Sequence, residues 1–150
     1  MENYEEYYDV IKQNIESCNN EYDEFIKYGP DIFRLLTDIL NVKKLDPIIR
    51  LKVSAALGYF VAPYDIIPEK VYGALGYIDD IYISAYVLKD IENELGLGYL
   101  ESIWEGNNNL KEVVDECYEN SSEILGDKVK DIIKYTGLDY FENDITNNND

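Results

Sequence analysis

The chain has 150 residues, 46% of them hydrophobic, which suffices to bury a core in one compact domain and argues against wholesale disorder. Its 31 acidic and 13 basic side chains leave a net charge of -18, which disfavours binding to nucleic acid or an anionic membrane through phosphate contacts and favours a basic partner. Histidine is absent, so Ser-His-Asp, Cys-His, HExxH and His-zinc chemistries are removed together.

In chain order, Tyr4, Tyr8, Ile11, Ile15, Cys18, Tyr22 and Phe25 or Ile26 step by three or four and predict a long first helix, ended by Tyr28-Gly29-Pro30. A second helix is expected from Asp31 as its cap, burying Ile32, Leu35, Leu36, Ile39 and Leu40 and stopping near Asn41. Asp46-Pro47 reads as N-cap and first helical residue of a third helix through Ile49, Val53, Ala56 and Phe60, ended by Pro63. The pattern Ile78, Ile81, Tyr82, Ala85, Leu88, Ile91, Leu95 makes a fourth helix closed by Gly96. Beyond it lie a short helix near Tyr99 to Trp104, an Asn107-Asn108-Asn109 loop, a helix from Leu110 to Leu125 stopped by Gly126, and one from Asp127 to Thr136 stopped by Gly137. No stretch alternates with period two and no solenoid-length repeat is visible. The expected fold is therefore all-α, a single compact multi-helix domain over residues 1–150 with a Pro-x-Asp-x-x-Pro turn between the third and fourth helices and a frayed, disordered tail at about 145–150.

The acidic N-terminal residues lack the positive and apolar regions of a secretory signal, and the longest uncharged run, Val53 to Tyr64, would span only ~18 Å as a helix against the ~30 Å of a bilayer core. Cys18 and Cys117 fall among apolar helical positions and read as two reduced core thiols. A cytoplasmic protein without a transmembrane segment is expected.

Between the third and fourth helices, Pro63-Tyr64-Asp65-Ile66-Ile67-Pro68-Glu69 cannot continue a helix and reads as a tight turn, followed by Gly76-Tyr77-Ile78-Asp79-Asp80. This stretch, with Leu57-Gly58-Tyr59 before it, resembles the YkvA-like or DUF1232 family, whose pattern is a PxDxIPD turn followed by GxxDD. The resemblance covers residues of about 50–95, and Glu69 stands where the family usually has Asp. It implies a small helical domain without an established enzymatic activity, often membrane-associated in its more apolar members. Some small acidic members also look like antitoxins encoded beside toxins, including toxins related to alarmone synthetases.

Two readings compete for Asp65, Glu69, Asp79 and Asp80. As oxygen donors around one turn they suit Mg2+ or Ca2+; as structural acids, Asp65 accepts N–H groups within the turn while Asp79 or Asp80 caps the fourth helix, with Arg50, Lys52 or Lys70 neutralising the remainder. The structural reading is preferred for all seven motif residues, Pro63, Asp65, Pro68, Glu69, Gly76, Asp79 and Asp80, because the neighbouring side chains of an Asp pair leave a helix about 100 degrees apart. No catalytic residue, metal or other cofactor is therefore expected. Gly73 to Gly76 lacks the Gly-Lys-Ser/Thr of a phosphate loop, and neither cysteine has a base to activate it.

Acidity is uneven. Residues 29–62 carry a net +2, whereas 1–28, 63–96 and 97–150 carry -6, -5 and -9. Among 15 tyrosines, several adjoin acids, so Tyr4, Tyr7, Tyr8 and Tyr22, with Asp9 and Asp23, are the candidate partner-binding residues: aromatic anchors inside a steering negative field. The expected function is an antitoxin-like acidic inhibitor that neutralises a cognate toxin acting on nucleic acid or nucleotides by covering its basic surface, without itself binding nucleic acid. The competing expectations are a membrane-surface or structural domain, with Leu57 to Ile67 near lipid, and a carboxylate-based metal-dependent enzyme.

Overall fold

The computed structural model describes residues 8–10, 12–13, 24–61 and 77–138. A 3-10 turn, Glu24–Tyr28, runs straight into α1, Gly29–Leu40. There follow α2, Pro47–Val61; α3, Ile78–Leu95; α4, Leu97–Ile103; α5, Leu110–Leu125; and α6, Lys128–Thr136. The described residues are all-α and contain no strand.

The helix ends follow local backbone chemistry. Asp46 Oδ1 accepts from the N–H groups of Ile48 at 2.8 Å and Ile49 at 3.4 Å, so Asp46 caps α2 with Pro47 as its first residue, as expected. Asn109 Oδ1 likewise accepts from Glu112 N–H at 3.1 Å and starts α5. At Gly126, which ends α5, φ is 55°, a left-handed backbone that a Cβ would disfavour.

Three boundaries differ from expectation: α4 runs from Leu97 to Ile103 and not from Tyr99 to Trp104, Phe25 and Ile26 lie in a 3-10 turn and not in an α-helix, and α1 opens before Asp31. Gly29 and Pro30 open α1 instead of ending the preceding helix, and Tyr28 sits at the N-cap with no side-chain cap. Proline's fixed φ and missing N–H suit a first turn as well as they spoil an interior one. Asp31, expected as the cap, lies instead in that first turn, where its charge meets the positive end of the helix dipole.

Among the described residues, buried side chains between Phe25 and Leu138 form one core cluster. Its centre is α3: residues 77–85 are buried without interruption, on every side of the helix, which is how a helix enclosed by its neighbours behaves. The most extensive helix pair is α3 with α5, and α2 packs antiparallel on α3's other side. Phe33 of α1 meets Phe60 of α2 edge to face, with centroids 5.6 Å apart. In the α4–α5 connection the Trp104 indole lies over Gly106, where a Cβ would come within 2.1 Å of the ring, and its Nε1–H donates to the Asn108 carbonyl at 2.8 Å.

No helix among the described residues is long and apolar enough to cross a membrane. Pro63, Asp65, Pro68, Glu69, Gly76, Lys70, Cys18 and the tail at 145–150 lie outside the described residues, as do Tyr4, Tyr7, Tyr22 and Asp23.

Candidate functional site

Carboxylates occupy three settings. The first is the start of α3, where Asp79 and Asp80 are both 0% exposed. The Tyr59 hydroxyl donates to Asp79 Oδ2 at 3.1 Å, and the Asp80 N–H donates to Asp79 Oδ1 at 3.0 Å. Neither acid is the cap that the sequence suggested: Tyr77 holds that position, and Asp79 sits in the first turn, where it satisfies one of the helix's free N–H groups. The Ser84 hydroxyl donates to the Asp80 carbonyl at 2.8 Å within the same enclosed stretch.

Two of the cations offered by the sequence, Arg50 and Lys52, have described partners on α1 and along α3. Arg50 turns to α1 and donates to the carbonyls of Leu40 at 3.0 Å and Val42 at 3.1 Å, closing that helix's C-terminal end. Lys52, with a side chain only 5% exposed, pairs with Asp90 and lies 3.7 Å from Glu94, towards the C-terminal end of α3. Among the described residues, no three acidic or thiol side chains converge as a metal site.

The second setting is the N-terminal segment, where Tyr8 and Asp9 are described. Tyr8 is half-buried against α1: the Arg34 guanidinium lies 4.0 Å from its ring centroid, and its hydroxyl donates to Asp31 Oδ1 at 3.3 Å. One ring face of this anchor candidate is thus occupied by its own chain, while Asp9 and Val10 beside it are exposed.

The third setting is α5. Its inner side buries Leu110, Val113, Val114, Cys117, Ser121 and Leu125. Burial, and secondarily the Glu116 charge, pushes the Cys117 thiol far up, so it stays protonated and unreactive. On the outer side Glu112, Glu116, Glu119 and Glu123 recur at i, i+4, i+7 and i+11, one face of a helix; all but the half-buried Glu116 are exposed. No lysine or arginine among the described residues pairs with any of the four.

Their neighbours are neutralised. Lys89 reaches Asp115 at 2.8 Å, and Lys111 reaches Glu92 at 2.9 Å and Asp115 at 3.6 Å. The hydrogen bond from Lys89 holds the Asp115 carboxyl below the usual range, and the one to Glu92 holds Lys111 above its own. The row of four glutamates went unremarked among the sequence candidates, although its spacing was legible there.

These features define an all-α fold built round one enclosed helix, with a buried aspartate pair at its start and, on its partner helix, an acidic face that no described cation neutralises. A family model described as "Protein of unknown function (DUF1232)" matches residues 49–86, which span most of α2 and the first half of α3. The chain is also 36% identical over 130 residues to "Uncharacterized protein ORF9" of Methanothermobacter thermautotrophicus, covering 87% of this chain and 89% of that one. It belongs to the DUF1232, YkvA-like family. No solved structure matches it.

Proposed function

We propose that the chain is an antitoxin-like acidic inhibitor, acting in the cytoplasm, that neutralises a cognate toxin working on nucleic acid or nucleotides. The observation that supports this reading is the α5 face. Four carboxylates along one helix side, left without a counter-ion among the described residues, form a rigid linear array of negative charge, which is what a phosphate chain presents to the lysines and arginines that bind it. Such an inhibitor competes with phosphate for the toxin's basic side chains and makes or breaks no bond. Asp9, exposed on the N-terminal segment, and the tyrosines of that segment are the second contact in this reading.

The test is affinity capture of a basic companion from native cells at low and high salt, repeated with Glu112, Glu116, Glu119 and Glu123 all changed to Gln. The expected result is a companion released by salt and bound at least roughly tenfold more weakly by the variant. Unchanged capture and salt dependence would place the contact off α5. Turnover of a nucleotide or nucleic acid by the purified chain, lost in Asp79→Asn, would overturn the inhibitor reading altogether.

A further inference from the structure

Helix α1 has no exposed residue, yet three charged ones, Asp31, Arg34 and Asp38, recur on it at i, i+3 and i+7 and form one half-buried stripe. Two other segments meet that stripe at Arg34. From the N-terminal side comes the turn bearing Tyr8, whose ring centroid lies 4.0 Å from the guanidinium carbon and whose hydroxyl donates to Asp31 Oδ1 at 3.3 Å. From the α4–α5 connection comes Glu105, whose Oε2 lies 3.9 Å from Arg34 Nη1. The Asp38 carboxyl registers the same meeting: burial and then the Glu105 charge raise it, while the Arg34 charge lowers it. Among the described residues at 8–13, Tyr8 alone is half-buried, whereas Asp9, Val10, Lys12 and Gln13 are exposed.

We propose that Arg34 is a latch, which fastens the Tyr8 turn to α1 and to the α4–α5 connection at once and lets the turn swing free when the guanidinium is drawn away. An arginine side chain loses much rotamer freedom when it is held in one place. Here that loss is incurred once for two contacts. Glu105 fixes one edge of the guanidinium and so steadies its flat face for the Tyr8 ring, and the ring does the same for Glu105. Neither contact is deeply enclosed, since the side chains of Arg34 and Glu105 are 32% and 63% exposed, so the latch opens without disturbing the core. Closed, it keeps one ring face and the hydroxyl of Tyr8 occupied by the chain itself. Open, it frees a tyrosine with Asp31 and Glu105 to either side, and a partner's guanidinium can take the place that Arg34 held. This last consequence, unlike the latch, rests on the inhibitor reading, in which the N-terminal segment is the second contact.

Trypsin cleavage after Lys12 in the full chain, followed by mass, reports how often the turn opens, because a protease cuts the opened form. Cleavage after Lys128, exposed on α6, is the control for global unfolding. Tyr8→Leu and Arg34→Gln should each speed cleavage after Lys12 at least roughly tenfold, the loss of a cation–π contact together with a hydrogen bond or a charge pair. Arg34→Lys should speed it less, because it keeps the charge without the flat face. Glu105→Gln should speed it about threefold, although Glu105 belongs to another segment. Cleavage after Lys128 and the melting temperature should stay at their parent values throughout. The latch would be overturned by a parent rate at Lys12 in Tyr8→Leu, by a parent rate there in Glu105→Gln, or by an acceleration at Lys12 that Lys128 matches. None of these results bears on capture of a partner by α5, and loss of that capture leaves cleavage after Lys12 unchanged, so the two readings fail separately.

Discussion

At the start of α3 two aspartates are fully enclosed, whereas along α5 all the outer glutamates but the half-buried Glu116 are exposed, and the two helices are packed against each other. The difference teaches that a carboxylate's role follows from the apolar residues around it. Isoleucines and a tyrosine at 78, 81, 82 and 83 take α3 inside with whatever lies between them, so Asp79 must find donors there and does so in Tyr59 and its own helix's N–H. On α5 the buried apolar residues keep to one stripe, leaving the four outer glutamates to water or to a partner.

The sharpest way to break this contrast is Asp79→Ala, which takes the acceptor from the buried Tyr59 hydroxyl and an N–H partner from the first turn of α3. A loss of about 3 kcal/mol is expected in urea unfolding, with Asp79→Asn milder because it keeps an acceptor. Next is the cap that begins α5: Asn109→Ala should cost about 1 kcal/mol by the same measurement.

Smaller still is an intermediate case. Asp38 on α1 is partly buried, and that burial, helped by the Glu105 charge, raises its carboxyl above the ordinary 3.8. Its folded-state value therefore exceeds its unfolded one, so its ionisation costs stability at neutral pH, and the cost is relieved as pH falls through the folded value. Asp38→Asn should raise the melting temperature slightly at pH 7, with the gain vanishing in acid. Asp115 has the opposite sign: its lowered value adds stability that is present above the unfolded value and is lost as pH falls through the folded one. At the far end of the scale, the four Glu→Gln changes on α5 should leave unfolding within about 0.5 kcal/mol of the parent chain.

Much of the fold was legible because its punctuation is local. Asp46-Pro47, Gly96, Asn107 to Asn109, Gly126 and Gly137 act through their own backbone geometry and hydrogen bonds, and each bounds an element where expected. Gly29-Pro30 was misleading because the same proline suits a helix start and a helix stop, and only the packing of the preceding 3-10 turn decides. Lys52 illustrates a second limit: a lysine amid apolar neighbours shows in the sequence, but its acid lies 38 residues away on another helix. Of the candidate site, Tyr8 reads as an anchor until Arg34, 26 positions on, is seen over its ring. The α5 row needed no long-range information.

Trp104 is the chain's sole tryptophan, and it sits over Gly106 a few residues before the acid-lined helix begins. That placement supplies a built-in optical probe. Its emission, excited selectively, reports on the α4–α5 corner without any label, so a fluorescence titration can follow the arrival of a ligand at this end of the acidic helix.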